Sequence, residues 1–251
     1  MTKIALLIPS TTRERPWTCI EETYLYNLTL KTFLLTRCRN LGYTYTIYIG
    51  YDDGDKILSQ PSQQEKINKF EHAFPDVKFS FVCFKFVTKG HLTKMWNILF
   101  QQAFDDGCDY FFQCGDDINF RTSNWITSCV EVLTKHNGIG ITGPINNNFR
   151  ILTQCMVTRR HMEIFKFFFP EEIQNWCCDD WYNLVYQPHF FFPLSNHYCS
   201  NEGGNPRYII NNDDQFRDVN KFQKNVTELR LKTKHLAEQH KTLLKDYIAQ
   251  V

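Results

Sequence analysis

A chain of 251 residues, 43% hydrophobic and 16% aromatic, has ample material for one packed α/β domain with an appendage. Its formal net charge of +1, with Lys and Arg spread along the chain, lacks the basic balance of a nucleic-acid binder, so no nucleic-acid partner is expected. Ten cysteines without a CxxC pair at zinc-site spacing read as reduced thiols, and no run approaches the ~20 apolar residues of a membrane span.

Met1-Thr2-Lys3 leads directly into Ile4-Ala5-Leu6-Leu7-Ile8, too short for a secretory leader, so a soluble cytoplasmic protein beginning with a strand is expected. That strand, Lys3 to Pro9, opens into Ser10-Thr11-Thr12-Arg13-Glu14-Arg15. Hydroxyls and guanidinium groups there suit a phosphorylated or nucleotide ligand, or equally a solvated loop. Residues 18–40 read as a helix with Ile20, Tyr24, Leu28 and Leu35 near one face. A second strand, Tyr43 to Gly50, ends in the acidic cluster Tyr51-Asp52-Asp53-Gly54-Asp55, for which a turn is the plain alternative. Ser62 with Glu65 predicts a capped helix to Phe74, and Val77 to Val87 a third strand.

Lys89-Gly90-His91-Leu92-Thr93-Lys94-Met95-Trp96-Asn97 then opens a helix to about Asp106, with Lys94 and Asn97 one turn apart. It leads into Tyr110-Phe111-Phe112, a short buried-type strand that stops at Gly115-Asp116-Asp117. Paired carboxylates at the carboxyl end of a strand suit Mg²⁺ or Mn²⁺ held together with a substrate diphosphate, although Gly-Asp-Asp is also good turn sequence. The order β-α-β-α-β-α-β predicts an α/β fold with a mixed, mainly parallel sheet flanked by helices.

These segments in this order, Pro9-Ser10-Thr11-Thr12-Arg13, Tyr51-Asp52-Asp53-Gly54-Asp55, the Gly90 to Asn97 stretch and Gly115-Asp116-Asp117-Ile118, resemble a GT-A glycosyltransferase of the family-2-like, inverting kind. The resemblance implies nucleotide contacts from Pro9, Ser10, Thr11 and Arg13 and a base contact from Asp52 or Asp53. It implies further donor contacts from Gly90, Lys94, Asn97 and Asp116, and a metal ligand at Asp117. Gly115 stands where the family has its first aspartate.

The second half extends the likeness. A helix capped by Thr122 or Ser123 runs to Asn137-Gly138, a short strand covers Ile139 to Thr142, and Thr153 to His161 reads as a strand ending in paired arginines. Trp176-Cys177-Cys178-Asp179-Asp180-Trp181 matches the family's Glu-Asp element, which puts the catalytic base on Asp180, with Asp179 the near alternative and helix capping the bland reading. His189-Phe190-Phe191-Phe192 reads as a core strand. His197 occupies the region of the family's metal-binding histidine, a reasonable ligand for Mn²⁺. Gly203-Gly204 is a candidate lid from which Arg207 reaches a diphosphate.

From Asp218 onward neither Pro nor Gly appears, and Phe222, Val226, Leu229, Thr233, Leu236, His240, Leu243 and Tyr247 form a heptad seam. That seam either packs on the catalytic domain or makes a homodimer through the C-terminal helix. The expected organisation is a GT-A catalytic domain over 1–216 and a helical extension over 217–251. It would transfer a sugar from a nucleotide-sugar donor, expected to be a UDP-sugar, to a hydroxyl of a glycan or glycoprotein acceptor. An anchorless enzyme of this kind is typical of bacteria and large DNA viruses. The rivals are a decayed GT-A scaffold, which Gly115 favours, and a nucleotidyltransferase, which would want a glycine-rich loop after the first strand.

Overall fold

The computed structural model describes residues 1–39, 42–148, 150–204 and 219–250. Its first strand, β1 (Thr2–Ser10), is buried from Ile4 to Ser10. An unbroken apolar run of this kind needs cover on both faces and a neighbour on both edges. On one edge β1 pairs in parallel with β2 (Tyr43–Asp52), and β2 with β3 (Val77–Phe84). On its other edge lies the parallel β4 (Tyr110–Gln113). With β5 (Ile118–Phe120), β6 (Ile141–Ile145), β7 (Cys155–Thr158) and β8 (Phe191–Asn201) the sheet has eight strands in the order β3-β2-β1-β4-β7-β6-β8-β5. β7 is antiparallel to β4 and β6, and β5 to β8.

The helices, in chain order, are α1 (Lys31–Thr36), α2 (Pro61–Asn68), α3 (Phe70–Ala73), α4 (Leu92–Asp105), α5 (Trp125–Lys135), α6 (Arg159–Phe165), α7 (Cys178–Tyr186) and α8 (Val219–Ile248). Side chains of β1 alternate between two cores, as the pleat requires. Ile4, Leu6 and Ile8 meet α1, α2 and α5 on one face, whereas Ala5 and Leu7 meet α4, α6, α7 and α8 on the other. Every cysteine is a free thiol, and most are buried. Among the described residues, no helix is long and apolar enough to cross a membrane.

Three expectations are corrected. The helix expected over 18–40 is broken into a 3₁₀ turn at Ile20–Glu22, a π turn at Leu25–Leu30 and α1. The Thr29 and Thr32 hydroxyls accept the Ile118 and Phe120 N–H groups at 2.9 and 3.1 Å, so the edge strand β5 docks where the widened turn passes into α1. Ser62 does not cap α2, because Pro61 takes the first helical position and Gln60 becomes the cap residue. Neither Thr122 nor Ser123 caps α5, whose cap position is Asn124 in a left-handed conformation.

Part of the heptad seam packs on the domain itself: its Val226, Leu229 and Thr233 are buried, but its Leu243 is exposed and the buried face shifts to Ala237 and Leu244. In this way α8 packs against α7 and α6. The Trp181 indole N–H donates to His240 Nδ1 at 3.0 Å, which ties α8 to the start of α7.

Candidate active site

The loops at the carboxyl ends of β1, β2 and β4 and the start of α7 enclose a cleft of about 540 Å³. This is where an open α/β sheet presents its ligand site. Pro9, Ser10, Thr11, Arg13, Asp52, Gly90, Asp116, Asp117, Asp179 and Asp180, distant in the chain, all line it.

At the β1–β2 end, Thr12 donates through N and Oγ1 to the Asp55 carboxylate, both at 2.8 Å. Asp55 also accepts Ile57 N and Leu58 N at 3.1 and 2.9 Å, so this buried carboxylate moulds the loop. Asp52 faces the cleft. Burial raises its proton affinity, opposed by a Thr11 hydrogen bond and by the charge of Lys89. Asp53 is exposed and meets Cys83 Sγ at 3.7 Å, and of the two base-contact candidates only Asp52 lines the cleft.

At the end of β4, Ser10 Oγ donates to Asp116 Oδ2 at 2.7 Å and fixes that buried carboxylate. Asp117 is only partly buried. A Cβ at Gly115 would lie 2.8 Å from Asp117 Oδ1, and one at Gly203 would overlap the same carboxylate. Glycine at these positions therefore lets the chain fold tightly around Asp117. Gly203 is held there by Arg15 Nη2, which donates to its carbonyl at 2.8 Å, while Glu202 N donates to the Asp117 carbonyl at 3.0 Å. Among the described residues no three His, Cys, Asp or Glu side chains converge on one point. Adjacent hard carboxylates at a strand end fit a divalent cation shared with a substrate diphosphate, and do not fit an all-protein cage.

Besides Asp53, three expected contacts among the described residues do not line the cleft. His197 lies within β8, with Nε2 2.9 Å from Ser128 Oγ and Nδ1 3.3 Å from Thr122 Oγ1, outside the cleft lining. Lys94 and Asn97 share a helical face turned away from the one that presents Leu92, Met95 and Trp96 to the cleft. Asn97 accepts Phe168 N and Phe169 N at 3.0 and 2.8 Å and donates to Phe169 O at 2.9 Å, a structural clamp. Arg207 lies outside the described residues.

At the opposite end, Asp179 and Asp180 occupy the first turn of α7. Asp179 keeps part of its surface open to the cleft, yet burial, and then the neighbouring Asp180 charge, push its pKa up to about 7. Its Oδ1 accepts Asp180 N at 3.1 Å. Asp180 instead forms an ion pair with Arg150 Nη1, whose side chain is 56% exposed and therefore movable. Arg150, Lys89, Gln113 and Arg230 also line the cleft. None carries a local signature: Arg150 precedes a strand by five residues, and Arg230 belongs to a helix face that reads as merely solvated.

No family profile and no curated protein matches the sequence. Solved structures do resemble the fold. Staphylococcus aureus TarS 1–349 in complex with UDP-GlcNAc matches with a TM-score of 0.54 at 12% identity, over 83% of this chain and 62% of that one. The same protein in complex with UDP gives 0.52 at 11% identity, over 79% and 60%, and a further TarS structure 0.52 at 12%, over 79% and 36%. The fold is of the GT-A class. The chain thus spans about a third to three fifths of the TarS chains, and identity this low speaks to fold alone.

Proposed function

We propose that the chain is a glycosyltransferase that moves a sugar from a nucleoside diphosphate, UDP in our reading, to an acceptor hydroxyl with inversion. The observation that carries this reading is a single cleft joining Asp52 at one end, Asp116 and Asp117 in the middle and Asp179 with Asp180 at the other. The TarS likeness agrees with it, since TarS has been captured with UDP and with UDP-GlcNAc.

Asp52 and the Ser10–Arg13 loop receive the nucleoside. Arg13, Lys89 and Arg150 line the same cleft and offset the charge of the diphosphate. Asp117, beside Asp116, would hold Mn²⁺ or Mg²⁺ against the phosphates, where the cation neutralises charge on the leaving group. Asp180 takes the acceptor proton as that oxygen bonds to the anomeric carbon, and the bond from that carbon to the diphosphate breaks with its electron pair leaving on the phosphate oxygen. Asp180 is preferred over Asp179 because Asp179 Oδ1 is already engaged by the Asp180 N–H. Diphosphate arriving at Arg150 would draw the guanidinium off Asp180 and free it as a base. Gly115, the best support for a decayed scaffold, has a packing reason of its own beside Asp117.

The test is Asp180→Asn, assayed for donor binding by calorimetry and for transfer with a panel of acceptors. Donor affinity should hold within a few-fold while transfer falls by about 10²–10⁴-fold. Transfer at the wild-type rate would remove Asp180 from the mechanism.

A further inference from the structure

Gln113, the last residue of β4, is 3% exposed, yet it lines the cleft. One end of its carboxamide meets the Tyr182 hydroxyl at 3.4 Å, and that hydroxyl also donates to Leu152 O at 3.0 Å. The amide nitrogen makes no hydrogen bond with the described residues, and Gln113 contributes to the cleft wall. A buried amide half satisfied by protein costs stability unless something in the cleft completes it.

Its surroundings narrow what that something is. Trp96 Nε1 donates to Leu7 O at 3.2 Å, and Leu7 is the β1 residue in register with Gln113. The Trp96 ring lies 5.4 Å from Phe169, and Phe169 lies 5.5 Å from Tyr182, so the indole and the amide belong to one packed wall. Leu92 and Met95 continue that wall into the cleft from α4. Gln113 precedes Asp116 by three residues, and Tyr182 follows Asp179 by one turn of α7. Gln113 thus adjoins the strand end that carries the carboxylates assigned to the diphosphate and, through Tyr182, the helix that carries those assigned to the acceptor, which puts the transferred sugar within its reach in our reading.

We propose that Gln113, with Trp96, Met95 and Leu92, forms a specificity subsite for a donor sugar bearing an acetamido substituent. This rests on the glycosyltransferase reading above. The amide N–H is donated to the acetyl carbonyl, and the acetyl methyl rests on the apolar wall. A hexose hydroxyl at that place would satisfy the amide but leave the wall wet, whereas the methyl of a deoxy sugar would cover the wall but leave the amide without a partner.

The experiment titrates UDP, UDP-GlcNAc and UDP-glucose, each with Mn²⁺, into the wild type, Gln113→Leu and the near-isosteric Gln113→Glu. The wild type is expected to favour UDP-GlcNAc over UDP-glucose by at least about tenfold. Both variants should lose most of that preference while binding UDP as the wild type does, which also certifies their fold. Equal affinity of the wild type for the two sugars overturns the subsite, as does a preference that survives both substitutions. If the wild type binds UDP without discriminating the sugars, only this subsite falls; if it binds no UDP, the glycosyltransferase reading falls with it.

Discussion

Asp179 and Asp180 are neighbours with opposite circumstances: one is confined by protein and by its neighbour's charge, the other is held by a movable arginine. A carboxyl whose folded pKa rises from 3.8 to about 7 binds its proton more tightly in the folded chain than in the unfolded one. Between about pH 4 and pH 7 this group therefore subtracts stability as pH rises. Asp179→Asn should melt higher than the wild type at pH 8 and close to it at pH 4, read by thermal denaturation across that range. At Gly203 the constraint is steric: Gly203→Ala should push the chain off Asp117 and weaken Mn²⁺-dependent nucleotide binding by about tenfold or more, with binding in chelator little changed. Residues of this kind differ in how far the sequence shows them. Asp117 and Asp180 are visible because each stands, in an adjacent pair at an element end, where the family resemblance expects a carboxylate. Arg150, Gln113 and Gly203 acquire their roles from partners far along the chain, and no local spacing exposes that.

At the scale of elements, β1, β4, α4 and α7 are readable from periodicity and composition because each is packed by the apolar pattern it displays. The edge strand β5 is not, since two of its three N–H groups are held by threonines nearly ninety positions earlier. His197 reads as a ligand in the sequence only because the length of β8, and with it the pairing that turns the ring toward Ser128 and Thr122, is a long-range property. α8 buttresses α7 through the Trp181 to His240 bond. Burial lowers the His240 pKa, so stability from the neutral ring is present above about pH 6.5 and is lost as pH falls below it. His240→Ala should cost about 1–2 kcal/mol at pH 7.5 by denaturant unfolding, less at pH 5, and should lower transfer more than donor binding.

The whole molecule is a mixed sheet with a core on each face and a cleft at the carboxyl ends of its central strands that gathers five aspartates from three separate segments. The sheet domain and the C-terminal helix, separable by composition, share one core, because Ala237 and Leu244 belong to the cluster that contains Leu7 and Trp181. The claim most central to this account is that the cleft binds a nucleoside diphosphate through the β1 and β2 loops and a cation through Asp117. Calorimetric titration with a panel of nucleoside diphosphates, with Mn²⁺ and with chelator, on the wild type and Asp117→Ala tests it directly. UDP should bind best, the gain from Mn²⁺ should vanish in the variant, and the residual metal-free affinity should be common to both proteins. No binding of any nucleotide to the wild type, or a Mn²⁺ response unchanged by Asp117→Ala, would contradict the account.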